Sequence, residues 1–160
     1  MGKTATKKSS TRPRTARAKP TAAQNIENLM DNLRRVYGAH LSVDVRPDGM
    51  AAVTVKKLMT RYPLHADDWS RSLGIKSLAF TSRIKRKASF NQLEAKRLAM
   101  VAQVMDRGLA VFGDAGKLER WLDRPHMYME KRKPKELLGS TAGIGLILAE
   151  FDRIEAGAFA

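Results

Sequence analysis

NQLEAKRLAMVAQVMDRGLAVFGD, residues 91–114, is the stretch that decides the fold of this 160-residue chain. Leu93, Leu98, Val101, Val104, Met105, Leu109 and Phe112 recur at three- and four-residue steps, the spacing of one wide face of an α-helix. Gly113 stops that helix and Asp114 caps the next, which carries Leu118, Trp121 and Leu122 until Pro125 breaks it. A basic loop follows. Pro134 then opens a short helical turn that ends at Leu138-Gly139. A last helix is expected over about 142–155, with Ile144, Ile147, Leu148, Phe151 and Ile154 on one face.

Upstream, residues 65–74 (HADDWSRSLG) form a short helix with Trp69 and Leu73 inside and Gly74 closing it. A second short helix is expected over about 77–87. Two short helices around a glycine turn outline a helix-turn-helix. Phe80 and Ile84 face inward, which leaves Lys76, Ser77, Thr81, Ser82, Arg83, Lys85, Arg86 and Lys87 outside. The second helix of such a motif enters the major groove of DNA while bases around it hold phosphates. No acid stands between Asp68 and Glu94. The rival reading of Arg83 to Lys87 is a solvated charge run.

Nearer the start, Val55, Leu58, Met59 and Tyr62 predict a helix that ends at Pro63. Pro47-Asp48-Gly49 is a turn signal, and Leu41, Val43 and Val45 alternate as in a short strand. Thr21 with Gln24 makes a capping box for a helix with Ile26, Leu29, Met30, Leu33, Val36 and Tyr37 on one face, stopped by Gly38. Residues 1–20 have almost nothing to bury and are expected to be disordered. The fold class is mainly α: a basic tail at 1–20, a helix-turn-helix DNA-binding bundle at 21–99 and a helical C-terminal module at 100–160.

Charge is divided along the same lines. The chain has 30 Lys+Arg against 16 Asp+Glu, a net +14. Residues 1–20 carry seven bases and no acid, whereas residues 100–160 carry nine of each. A surplus of this kind calls for a polyanion, and it belongs wholly to the first 99 residues. The tail is either a solubilising segment or a phosphate-binding arm. A mitochondrial transit peptide is a minor rival reading of its Arg, Ser and Thr.

Several chemistries are unsupported. There is no cysteine, so disulfides and thiolate metal sites are excluded. His40, His65 and His126 have no neighbour at metal spacing. No nucleophile elbow, zinc-protease or Walker motif occurs. Gly139-Ser-Thr-Ala-Gly143-Ile-Gly145 mimics a dinucleotide-binding turn but has no strand before it. Its small residues are better explained by close helix packing. The expectation is a non-enzymatic protein with no cofactor and no membrane span, of the bacterial cytoplasm.

Val111-Phe112-Gly113-Asp114, Trp121-Leu122, Pro125, Arg132, Pro134, Glu136-Leu137-Leu138, Gly143, Ile154-Glu155, Gly157 and Phe159-Ala160 carry a family pattern without a gap. In them, and in Leu73-Gly74-Ile75 followed by Lys76-Ser77, the chain from about residue 63 onward resembles the Xre/MbcA/ParS antitoxins. There are three departures. His126 replaces the family's Asn, Met129-Glu130-Lys131 replaces its Leu-x-Gly-Gly turn, and Lys133 replaces a capping Thr. The resemblance implies a type II antitoxin without activity of its own. Its partner is then a RES-domain toxin that consumes or transfers from NAD, and its helix-turn-helix represses the shared operon at operator DNA. Toxin contacts would fall to Trp121, Arg132, Leu148, Phe151, Ile154, Glu155, Gly157, Phe159 and Ala160. In that reading the last helix and tail close the NAD pocket. Phe159 is the plug, and the carboxylates of Glu155 and Ala160 meet groups that otherwise hold phosphates.

A homodimer or a larger toxin-antitoxin assembly is expected. One ground is that small helical DNA readers pair on two-fold sites. The other is that the 91–112 helix has more apolar surface than one short neighbour can cover. Two other functions compete. A free-standing transcriptional or partition regulator leaves the apolar last helix without a role. An RNA- or ribosome-associated protein lacks a stacking platform, with 6% aromatic residues.

Overall fold

Local capping sets most helix starts. Thr21 and Gln24 bond reciprocally, backbone N–H to side-chain oxygen, at 2.8 and 3.3 Å, and open α1 (Ala22–Tyr37). Ile26 and Met30 are the buried residues of its inner face. The computed structural model describes residues 19–37 and 45–157. The basic tail before residue 19, the alternation at Leu41 and Val43, and the terminal Phe159 and Ala160 lie outside the described residues, as do the side chains of Leu33, Val36 and Tyr37.

The Pro47 turn forms, and it has a packing purpose. Gly49 has φ +102°, and a Cβ there would stand 2.0 Å from the carbonyl oxygen of Phe90. Glycine alone lets Met50 reach Phe90, with which it exchanges two backbone hydrogen bonds of 2.9 and 2.8 Å. This clasp pins the start of α2 (Ala52–Arg61) to the loop before the longest helix. Among the described residues pairing is confined to three isolated bridges, and no strand forms.

The helix pair predicted at 65–87 is α3 (Ala66–Leu73) and α4 (Ser77–Lys85), joined by Gly74 in the left-handed conformation at φ 69°. Trp69 and Phe80 are fully buried, and the Phe80 ring lies 5.6 Å from that of Phe90. Next comes α5 (Gln92–Phe112), capped by Asn91, whose side chain accepts from the Glu94 N–H at 2.9 Å. Then follow α6 (Ala115–Leu122), a single 3₁₀ turn (Met127–Met129), α7 (Pro134–Leu137) and α8 (Thr141–Glu155). Asp114 caps α6 and Ser140 caps α8, each accepting a backbone N–H, at 2.9 and 3.0 Å.

The core is built around α5. Its 21 residues make a rod about 30 Å long, and α1, α3, α6 and α8 all pack on it. Leu98, Val101, Val104 and Met105 are completely buried within the single chain. The middle of the apolar face that argued for a dimer is therefore covered by the chain's own helices, while Leu93 at its start stays 41% exposed. The rod also runs across the expected boundary at 99/100, so the basic half and the C-terminal half share one helix.

Candidate functional site

Two surfaces lie at different positions along α5, one basic and one apolar. The basic surface is α4 with the loop after it. Lys76, Lys85, Arg86 and Lys87 are exposed, and Ser77, Thr81 and Ser82 are half-buried. Lys87 adopts φ 56°, which ends the helix abruptly and turns the chain toward Phe90. Thr81 donates its hydroxyl to the carbonyls of Ser77 and Leu78, at 3.0 and 3.2 Å, so only its lone pairs face outward.

Arg83 departs from its expected place among the outward bases. Its Nη1 donates to Glu94 at 2.7 Å, and its guanidinium sits 5.5 Å from the Phe90 ring centroid. It ties α4 to the first turn of α5. The pairing neutralises the one acid close to the run, so Lys85, Arg86 and Lys87 carry its outward charge.

The second surface belongs to α6, α7, α8 and the loop between Pro125 and Pro134. Phe112, Trp121 and Phe151 form a ring cluster, with centroids 5.0 to 6.0 Å apart. Trp121 is 9% exposed, Leu148 7% and Phe151 0%. These three, expected at a toxin contact, sit in the core. Phe151 in particular has no surface to offer: it packs on α5 at Gly108, where a Cβ would lie 3.0 Å from the Phe151 ring. Ile154 is half-buried and Arg132 is exposed.

Glu155 accepts from the Arg107 guanidinium at Nη1, 3.1 Å away, and Asp152 accepts from Nη2 at 3.1 Å. That guanidinium holds the Glu155 carboxyl below its usual range and fastens the end of α8 to α5. Gly157, at φ 75°, turns the chain out of the helix.

What the burial of the apolar stripe leaves outside is a flank that the apolar pattern did not single out. Ala142, Gly145, Leu146 and Ala149 are exposed, at i, i+3, i+4 and i+7 of α8. A Cβ at Gly145 would meet nothing within 4 Å beyond its own helix backbone and chain neighbours. Leu146 is 46% exposed. The 3₁₀ turn packs against the same helix, with Met127 75% and Tyr128 61% exposed and the Arg153 guanidinium 3.8 Å over the Tyr128 ring. Gly143, by contrast, has a packing role. A Cβ there would be 2.3 Å from the Leu137 carbonyl, so its absence lets α7 lie directly on α8.

The three departures in the 126–133 loop each have a structural outcome. His126 stacks on Trp121, centroids 4.8 Å apart, and its Nε2 lies 3.0 Å from the Trp121 carbonyl. A carbonyl only accepts, so the ring carries a proton on Nε2. Met129 is buried as the loop's anchor. Glu130 and Lys131 are both left-handed, at φ 55° and 59°. Lys133 keeps half of a capping box, its N–H donating to Glu136 at 3.3 Å, while its side chain has no acceptor to offer. A side-chain hydrogen bond and ion pair between Lys135 and Asp123 holds α7 to the end of α6, lowering the carboxyl pKa and raising that of the ammonium.

The strained pair yields a direct expectation. Left-handed backbone disfavours a side chain by about 1–2 kcal/mol per residue, and glycine offsets only part of this through its unfolded-state entropy. Glu130→Gly and Lys131→Gly should each stabilise the chain, by roughly 0.5–1 kcal/mol in urea unfolding. Loss of stability in both would mean that this turn is not left-handed in solution.

Among the described residues no group of His, Cys, Asp and Glu is arranged to hold a metal, and no helix is long and apolar enough to cross a membrane. Residues 107–157 match the family model for the antitoxin Xre/MbcA/ParS C-terminal toxin-binding domain. The chain is 32% identical over 96 residues to the antitoxin Xre of Pseudomonas putida strain KT2440, covering 60% of this chain and 59% of that protein's length. A chain in the crystal structure of the M. tuberculosis MbcT-MbcA toxin-antitoxin complex shares the fold. Its TM-score is 0.52 at 23% identity, over 68% of this chain and 96% of that one.

Proposed function

We propose that the chain, whose residues 107–157 match the model of the Xre/MbcA/ParS antitoxin C-terminal toxin-binding domain, is the antitoxin of a type II toxin-antitoxin pair and neutralises a RES-domain toxin by direct binding. The observation that carries the reading is the division of α8. One side is committed to the core through Ile144, Ile147 and Phe151, while Ala142, Gly145, Leu146 and Ala149 remain outside with no charge among them. Small residues on such a flank let a partner's backbone approach closely, and Leu146 supplies the apolar anchor. In this reading the end of that helix and the residues that follow it block the NAD pocket of the toxin. The decisive experiment expresses the neighbouring reading frame alone and together with this chain. Toxicity alone and rescue by co-expression are expected, with loss of NAD as the biochemical readout. A harmless neighbour, or NAD loss that this chain does not stop, would end the proposal.

Autoregulation is the second part of the same function. The α3–α4 pair is read as the helix-turn-helix, which binds operator DNA as a homodimer, within or without the toxin complex. Lys85, Arg86 and Lys87 contact phosphates. Replacing all three with alanine should lower the salt slope of DNA binding by about 0.9 for each phosphate no longer neutralised and leave toxin neutralisation intact. Arg83→Ala should instead reduce stability, since it breaks the ion pair to Glu94. An unchanged slope in the triple variant would reduce the run to a solvated face. A free-standing regulator would use the same basic surface but would leave the bare flank of α8 unexplained.

A further inference from the structure

We propose that Leu78 and Ala79 read thymine methyl groups in the major groove, an inference that rests on the DNA-binding reading of α4. Leu78 is 82% exposed, the highest value for a large apolar side chain among the described residues. An exposed leucine by itself needs no explanation. Its position supplies one. It stands in the first turn of α4 beside the exposed Ala79.

Ser82, Lys85 and Arg86 follow at three- and four-residue steps, so the five side chains share one flank of the helix. That flank is graded. Its first turn is uncharged and apolar, and its last turn is cationic. The opposite side is filled by Phe80 and Ile84 in the core.

The grading matches the work of a recognition helix. Residues in the first turn of the second helix reach base edges, while bases elsewhere hold the phosphates. An apolar side chain recognises thymine by its C5-methyl group. No carboxylate occurs from Trp69 to Leu93, and the next, Glu94, is already neutralised by Arg83. The whole flank can therefore lie against a polyanion without repulsion. Double-stranded RNA offers neither the methyl nor an accessible major groove.

The test uses the full-length protein to enrich binding sites from a random-sequence duplex pool. The enriched duplex is then remade with single thymines replaced by deoxyuridine, which removes only the methyl. At one or two positions per half-site, binding should weaken about fourfold, as expected for one methyl-sized group leaving an apolar contact. Leu78→Ala should weaken binding to the thymine duplex by a similar factor and bind both duplexes equally. Lys85→Ala should weaken both duplexes alike. If Leu78→Ala preserves the methyl preference, or if no thymine matters, the methyl reading is overturned while DNA binding stands. If nothing is enriched, sequence-specific DNA reading fails and this inference with it.

Discussion

Phe151→Ala should destabilise the chain by about 3–5 kcal/mol, the cost of truncating a fully buried aromatic ring. Phe151 is 0% exposed and touches the core on every side, with Trp121 and Phe112 at 5.0 and 6.0 Å between centroids. The ring lies so close to α5 that a Cβ at Gly108 would stand 3.0 Å from it, so its loss leaves a void against a backbone that has no side chain to fill it. Partner binding should fall with it, as an indirect consequence of the weakened packing. Two measurements separate the causes. Urea unfolding reports the stability loss, and binding near the temperature of maximal stability should recover in part. A variant with wild-type stability and no partner binding would show that Phe151 leaves the core to meet the partner.

Leu146→Asp is expected to behave in the opposite way. Its side chain is 46% exposed on the bare flank of α8, so stability should change by less than about 1 kcal/mol, mostly from helix propensity. Affinity for the proposed toxin partner should drop by at least about 30-fold, or ~2 kcal/mol, because a carboxylate is then buried in an apolar contact without a partner. Ala149→Arg, one turn further, should act similarly by filling the space that a partner backbone would use. Titration calorimetry with the toxin and thermal unfolding of the free variants give both numbers. Unchanged affinity in both variants would move the contact surface to the Met127–Tyr128 turn.

These two residues also mark where the sequence was legible and where it was not. Helix starts and stops were readable because their signals are local. Thr21 with Gln24, Gly74, and Gly113 with Asp114 all act within a few residues of their own position. The facing of α8 was not readable to the same degree. Its sequence from Ile144 to Leu148 is apolar at every position except Gly145, so periodicity marks a stripe without saying which members stay outside. The outward facing of Leu146 went unread for that reason, as did the burial of Leu148 and Phe151, 7% and 0% exposed. Gly145 drew notice only as part of a dinucleotide-like turn, and of the small residues there it is Gly143 that serves close packing.

The pairing of Arg83 was unreadable for another reason. Its partner Glu94 lies on a different helix, and no helical spacing rule connects them. A run of bases looks uniform in sequence, yet one member was paired through tertiary contact. The reverse holds at Gly49, whose turn was predicted on local grounds. Its need for glycine comes from Phe90, a residue that only the folded chain brings near.

The shared helix α5 has a consequence for how such proteins can be recombined. Arg83 meets it at Glu94, and Glu155 meets it at Arg107, about 20 Å further along at roughly 1.5 Å per residue. A crossover placed near residue 100 would join half of one such helix to half of another. Every buried position from Leu98 to Met105 would then face neighbours from two different parents. Breakpoints at the left-handed turns, Lys87 or Gly113, would transplant the rod whole and confine mixed parentage to its contacts with α1 and α3 or with α6 and α8. A chimaera joined at either turn should therefore keep more of its stability than one joined near residue 100.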